Sequence, residues 1–392
     1  MNELTLAARV ERLGTESAFD VLMRANRLAA EGRDIVNLGI GQPDAKPPAT
    51  AIEAARKALR DGDHGYTEPP GLPALREAVA ADLDRRLGVD VAPDRVFVTP
   101  GAKPVMFFAM LMFGESGAEI LYPDPGFPIY RSMIDFSGAG AIPYRLEESR
   151  GFSLDPESVL EQVTERTRLI ILNSPANPTG GVTARKDMDR LVEGLLEHPQ
   201  VAVLTDEIYD RIYFDERRPP SLLEYPEIRD RLIVLNGWSK TYAMTGWRLG
   251  YSVWPCELVD KVLRLAINCH SCVNTAAQMG GLAALEGPQD TVSAMVSEFA
   301  SRRTRLVDRL NALSSFSCQP PGGAFYVFPN ITSTGLSGRA FQDRLLAEEG
   351  VALIDGTSFG AAGEGFVRIS FALDQPRIDE GMDRIARFVS NL

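Results

Sequence analysis

Between residues 95 and 255, short runs of β-branched and aliphatic residues alternate with amphipathic stretches, and this alternation restricts the available folds more than any other feature of the chain. Seven runs read as strands, over residues 96–99, 119–122, 141–144, 169–173, 201–205, 232–236 and 249–253. Strands separated by helix-length connections pair in parallel, because a parallel partner is reached only by crossing back over the sheet. The pattern predicts an α/β fold whose mostly parallel seven-stranded sheet is flanked by helices.

At 392 residues the chain exceeds the length over which a single core keeps growing. The expected division is a large domain over residues 46–289 and a smaller α+β domain made of 290–392 with 1–45, because the texture changes after residue 290 to a long charged helix over 297–313. Apolar residues at 45% and charged residues at 24% are ordinary for a globular protein and exclude a disordered chain. A net charge of −12 argues against a nucleic-acid partner, so any anionic ligand needs a local pocket.

The longest apolar run, residues 104–113, is too short to span hydrocarbon roughly 30 Å thick, and the N-terminus lacks a basic-then-apolar signal pattern. No membrane association and a cytoplasmic location are expected. Cys269-His270-Ser271-Cys272 has the spacing of zinc and redox sites, but the remaining cysteines, Cys256 and Cys318, are isolated, so ordinary reduced cysteines near a helix start, with no metal, are expected.

Several candidate strands end in small or polar residues: Thr99-Pro100-Gly101, Asn173-Ser174-Pro175, Asp206-Glu207 and Gly237-Trp238-Ser239-Lys240. Ligands of open α/β sheets bind beyond the carboxyl ends of the strands, where these residues would gather. The segment from Asn236 to Tyr251 holds one lysine among almost no other charge. A buried ammonium tends to lose its proton, which an imine-forming lysine requires; a lysine whose head reaches solvent past an apolar stem is the equal alternative.

The run Ser239-Lys-Thr-Tyr-Ala-Met-Thr-Gly-Trp-Arg248 resembles the lysine motif of class I/II pyridoxal-phosphate aminotransferases of fold type I, in the aspartate aminotransferase superfamily. Asn173-Ser-Pro-Ala-Asn177-Pro-Thr-Gly180 and Asp206-Glu-Ile-Tyr209 resemble the family's N-P-x-N-P-T-G loop and D-E-x-Y strand end. Gly39-Ile-Gly41-Gln-Pro43-Asp44, Gly65-Tyr66, Gly101-Ala-Lys103 and Phe366-Val-Arg368-Ile-Ser fall in the family's order, so the likeness runs from about residue 35 to 370.

The resemblance implies pyridoxal 5'-phosphate as cofactor, joined to Lys240 as a Schiff base, and transfer of an amino group from an amino acid to a 2-oxo acid. It implies that Asp206 pairs with the pyridine nitrogen and that Asn177 and Tyr209 donate to the phenolic oxygen; without it, Asp206-Glu207 could equally cap a helix or bind metal, and Asn177-Pro forms a turn in any case. Gly101, Ala102 and Lys103, between a strand and a helix, together with Ser239 and Arg248, match the phosphate-binding positions. Phe127 matches the aromatic on the ring face, and Tyr66 the tyrosine that reaches the neighbouring subunit's phosphate, which implies a homodimer with shared sites. Gly41, Asn177 and Arg368 match the positions that meet the substrate carboxylate, for which an arginine fork is suited.

Lys240, Asp206 and Tyr209 are the expected catalytic residues; the three histidines, His64, His198 and His270, lie in no matched motif, so Lys240 is the expected base. The donor's side chain is expected near Phe19, Tyr66, Tyr130 and Trp238. The chain departs from the pattern at Gly237, where many relatives carry a hydroxyl residue. Carbon–sulfur lyases and other pyridoxal-phosphate enzymes share this fold and remain the alternative. A dehydrogenase is disfavoured because no G-x-G-x-x-G follows the first strand, and a transcription-factor effector domain because no basic helix-turn-helix segment precedes it.

Overall fold

The computed structural model of the protein describes residues 4–214 and 218–392; residues 1–3 and 215–217, which the sequence reading assigned to the small and large domains respectively, lie outside the described residues. All seven anticipated runs form strands of one sheet: β2 (Val96–Thr99), β3 (Glu119–Asp124), β4 (Gly140–Arg145), β5 (Thr167–Asn173), β6 (Ala202–Asp206), β7 (Leu232–Gly237) and β8 (Gly250–Val253). The spatial order is β2-β8-β7-β6-β5-β3-β4, and only β8 runs antiparallel to its neighbours.

The central strands β5, β6 and β7 are apolar along most of their length because the sheet is covered on both faces there, whereas the edge strand β4 is largely exposed. Leu169, Ile171, Leu204, Ile233 and Leu235 pack into one core, while the intervening Ile170, Leu172, Val203, Leu232 and Val234 pack into the other. With both faces filled, the strand ends are the open part of the sheet. The carboxyl ends of β2, β3, β5, β6 and β7 share one edge, where Thr99, Asp124, Asn173, Asp206 and Gly237 end their strands.

The remaining strands are short: β1 (Val36–Asn37) pairs in parallel with β10 (Val351–Ala352), and β11 (Ile354–Asp355), β12 (Val367–Ser370) and β9 (Tyr326–Val327) form an antiparallel sheet in the order β11-β12-β9. The Leu38 carbonyl accepts from the Ser370 amide at 2.7 Å, so the chain just before Gly41 lies beside the strand carrying Arg368. The long helix expected over 297–313 begins earlier, spanning Asp290–Asn311, because Val292 and Met295 extend its buried stripe of Phe299, Leu306 and Leu310 toward the N-terminus. The four cysteines are free; Cys269 lies in the last turn of the helix Val259–His270 rather than at a helix start, and Cys272 lies in the link to the helix Thr275–Glu286. No helix among the described residues is long and apolar enough to cross a membrane.

The departure at Gly237 has a packing explanation. Gly237 and Thr99 both stand opposite Gly250 in register, and a Cβ at 237 would fall 2.8 Å from the Gly250 Cα and 3.0 Å from the Leu249 carbonyl oxygen. Backbone cannot yield as a flexible side chain does, so Gly237→Ser is expected to destabilise the chain by about 1–3 kcal/mol. The measurement is the denaturant midpoint followed by circular dichroism; an unchanged midpoint would show that β7 and β8 have room to part.

Candidate active site

A cavity of about 440 Å³ opens beyond the carboxyl edge of the sheet. Its lining brings together Gly41, Ala102, Lys103, Phe127, Asn177, Asp206, Tyr209, Ser239, Lys240, Arg248 and Arg368, residues spread over more than 300 positions of sequence. Gly101 lies immediately behind this wall and Tyr66 away from it, 93% exposed on the surface of the chain.

Lys240 sits in the single helical turn Trp238–Thr241 that follows β7. Its Nζ donates to the Gly41 carbonyl at 2.6 Å and stands 5.7 Å from the centre of the Phe325 ring. Burial is the main cause that lowers its pKa from 10.5 to about 8; the Glu16 carboxylate works against this, and Arg368, Arg248 and Lys103 reinforce it. A substantial fraction of the amine is therefore neutral near physiological pH.

Asp206, the last residue of β6, is shifted the opposite way by the same cause. Burial pushes its pKa up to about 6, although the Tyr130 hydroxyl donates to it at 2.7 Å and the Ile208 amide at 3.2 Å. The side chain of Asn173, opposite Asp206 in register, donates to the Asp206 carbonyl at 2.9 Å and accepts from the Asn177 amide at 2.9 Å, so one asparagine ties both functional residues to the sheet edge.

Arg368 is buried on β12. Its Nη1 donates to the Asn177 side-chain oxygen at 2.8 Å and its Nη2 to the Gly39 carbonyl at 2.6 Å, while its Nε has no partner. The guanidinium carbon lies 4.5 Å from the Tyr326 ring centre and 4.7 Å from that of Phe359, so aromatic faces hold the fork in place. The Tyr209 and Tyr326 hydroxyls share a hydrogen bond of 2.9 Å, and burial raises the Tyr209 phenol far above its usual range, keeping it protonated as a donor.

The turn after β2 forms a corner suited to an anion. Arg248 is in the left-handed region with φ 54°, where a non-glycine residue is strained, and its Nη1 donates to the Thr245 carbonyl at 2.8 Å. Gly101, with φ 83°, allows close approach: a Cβ there would lie 2.1 Å from Arg248 Nη2. The helix Lys103–Phe113 starts beside this guanidinium with no side-chain cap, so the positive end of its dipole favours an anion there.

Tyr326 and Glu16 escaped the sequence reading, whereas Phe19, half exposed, lines the cavity as expected. Tyr326 lies in an apolar aromatic run that reads as core, and Glu16 in a polar N-terminal stretch with no motif; both line the cavity. Tyr130 and Trp238, expected beside the donor's side chain, are not part of the lining: Tyr130 is held edge-on to Phe127 and bonded to Asp206, and the Trp238 ring nitrogen donates to the Gly281 carbonyl at 2.9 Å.

A lysine kept partly neutral by burial, facing an unsaturated arginine fork and an anion corner, is the arrangement of an imine-forming α/β enzyme that acts on carboxylates. A family model for class I and II aminotransferases matches residues 33–385, and the chain belongs to this family. It is 35% identical to an aspartate aminotransferase from Pyrococcus horikoshii, over 97% of this chain and 96% of the relative. Among solved structures it is similar to an aspartate aminotransferase from Rhizobium meliloti (TM-score 0.94, 32% identity, 99% of each chain) and to an aromatic aminotransferase from Pyrococcus horikoshii (TM-score 0.88, 34% identity, 94% of this chain and 99% of that one). The protein is a pyridoxal-phosphate-dependent aminotransferase, an enzyme whose substrates are amino acids and 2-oxo acids.

The residues present fit that cofactor. An amine of lowered pKa, a buried carboxylate of raised pKa, a glycine turn against a guanidinium and an uncapped helix start supply one complementary group for each of its functional parts. On the reading that the neutral Lys240 amine is the nucleophile, uptake of pyridoxal phosphate by cofactor-free protein, trapped with borohydride and read by mass at residue 240, should speed up as pH rises, with a midpoint near 8; a midpoint near 10.5 would mean that burial leaves the amine unperturbed. On the reading that Arg368 grips the substrate carboxylate, Arg368→Ala removes a charge-assisted contact of roughly 1.5–3 kcal/mol, so KM for the amino acid should rise roughly 10- to 150-fold, measured by steady-state kinetics.

Proposed function

We propose that Lys240 carries pyridoxal 5'-phosphate as a Schiff base and serves as the base that moves the proton of the amino acid's Cα. The single observation that carries this reading is the lowered pKa of a lysine buried beyond the end of β7, beside Arg368 and Arg248. When bound, the cofactor supplies the electron sink for bonds at that carbon. The chain's own residues then divide the work. Asp206 holds the ring nitrogen's proton, a role that favours its charged form and offsets the cost of its burial. Asn177 and Tyr209 donate toward the phenolic oxygen, and Phe127 covers the ring. Arg248, Ser239 and the backbone of Gly101, Ala102 and Lys103 hold the phosphate. Arg368, with Gly41 and Asn177, orients the substrate carboxylate and so aims the Cα proton at Lys240.

The same reading includes a homodimer in which Tyr66 reaches the second copy's site. Support comes from the exposure of Tyr66 and of Phe107, Leu111 and Ile267, apolar side chains on the helices Lys103–Phe113 and Val259–His270. It also includes the domain division at 46–289 against 1–45 with 290–392, supported by the pairing of β1 with β10, and a cytoplasmic location, supported by four free cysteines.

Replacing the base tests the core of the proposal. Lys240→Ala should reduce transamination by at least about 10²–10⁴-fold and remove the visible absorbance shift that accompanies cofactor loading. The check is a panel of amino donors with pyruvate and 2-oxoglutarate as acceptors; wild-type turnover by the variant would defeat the assignment.

A further inference from the structure

With the roles above assigned, one ion pair on the cavity wall is left over. The Lys103 ammonium lies 2.7 Å from Glu16 Oε2, and both residues line the cavity, with side chains 41% and 19% exposed. The same ammonium stands 5.4 Å from the Phe127 ring centre and 5.6 Å from that of Phe19. The pair thus lies among apolar and aromatic wall residues that include Ile40 and Met106.

Glu16 is held there from outside the sheet. Two residues earlier, the Gly14 amide donates to the Ser132 hydroxyl at 2.9 Å, and Arg12 Nε donates to the Asp135 carbonyl at 2.7 Å, pinning the segment to the helix Pro128–Ser137. Glu16 occupies the position before the helix Ser17–Ala30, where a carboxylate ordinarily caps the free amides, yet its side chain makes no cap and reaches Lys103 instead.

We infer that Glu16 is a specificity-determining residue for the donor's side chain: by neutralising Lys103, it makes the enzyme select uncharged, apolar side chains over dicarboxylic amino acids. This rests on the aminotransferase reading of the cavity. Lys240, Arg248 and Arg368 are committed to the cofactor and the α-carboxylate, which leaves Lys103, among the described residues lining the cavity, as the cation for a second carboxylate. A carboxylate approaching it meets the Glu16 oxygens at nearly the same distance, and like charges brought together work as a repulsive selector. An apolar side chain meets instead a neutral pair and four apolar residues. The relatives named above for aspartate and for aromatic amino acids share this fold, so the backbone does not decide the donor class.

The test uses the cofactor-loaded protein in single-turnover reactions with aspartate, glutamate, leucine and phenylalanine, and calorimetry with succinate and butyrate. In the wild type, kcat/KM for leucine or phenylalanine should exceed that for either dicarboxylate, and succinate should bind no tighter than butyrate. Glu16→Gln should shift the dicarboxylate-to-neutral ratio by on the order of tenfold or more toward dicarboxylates and tighten succinate but not butyrate. Adding Lys103→Met to that variant should cancel the gain. A wild type that prefers dicarboxylates, or a ratio and a succinate affinity that Glu16→Gln leaves unchanged, overturns the role of Glu16 while the aminotransferase reading stands. Failure of every donor with the wild type would instead sink that reading.

Discussion

Withdrawal of one amine from water governs the carboxyl edge of the sheet. A lysine in solvent is an inert cation at neutral pH, and Lys240 departs from that state because the strands around it bury both their faces and leave a dry floor at their ends. The same dryness acts in the opposite direction on Asp206, since burial disfavours whichever form is charged. An acid and a base whose proton affinities are drawn toward each other can both act near neutrality, and neither shift needs a special residue beyond the sheet that removes solvent. The cationic side chains around Lys240 add to an effect that the fold has already produced.

The sheet was legible because burial on two faces forces near-continuous apolar runs, and several runs stopped at a small or polar residue where the strand meets the open edge. Asn173, Asp206 and Gly237 mark those stops, and the functional groups sit at or just after them. Periodicity fared less well at the start of the helix Asp290–Asn311, where Val292 and Met295 continue a buried stripe beneath a sequence that looks polar. What makes Gly237 necessary is a neighbour across the sheet, Gly250, and no local pattern announces a contact of that kind.

The wall of the cavity was legible only where a residue type advertises chemistry. Lys240 and Arg368 stand out because a charged side chain in an apolar run demands a partner. Tyr326 does not, since tyrosine in an aromatic run is ordinary core, and its function comes from the Arg368 guanidinium lying over its ring. Glu16 is harder still, because the lysine it meets is 87 residues away and the contact exists only after the N-terminal segment crosses the helix Pro128–Ser137. Tyr130 and Trp238 show the converse: aromatic residues near functional positions in sequence whose polar atoms turn out to serve the scaffold, one steadying Asp206 and the other anchoring the lysine turn to the helix Thr275–Glu286.

The aromatic clamp on Arg368 also bears on the thermodynamics of substrate capture. Arginine is among the side chains with most rotational freedom to lose when it grips a ligand, and here that freedom is already gone, because Tyr326, Phe359, Asn177 and Gly39 fix the guanidinium plane during folding. On the proposed reading, a carboxylate docking on this fork gains the attraction without a further ordering penalty, so the entropy of gripping is settled once per folded molecule and not once per catalytic cycle.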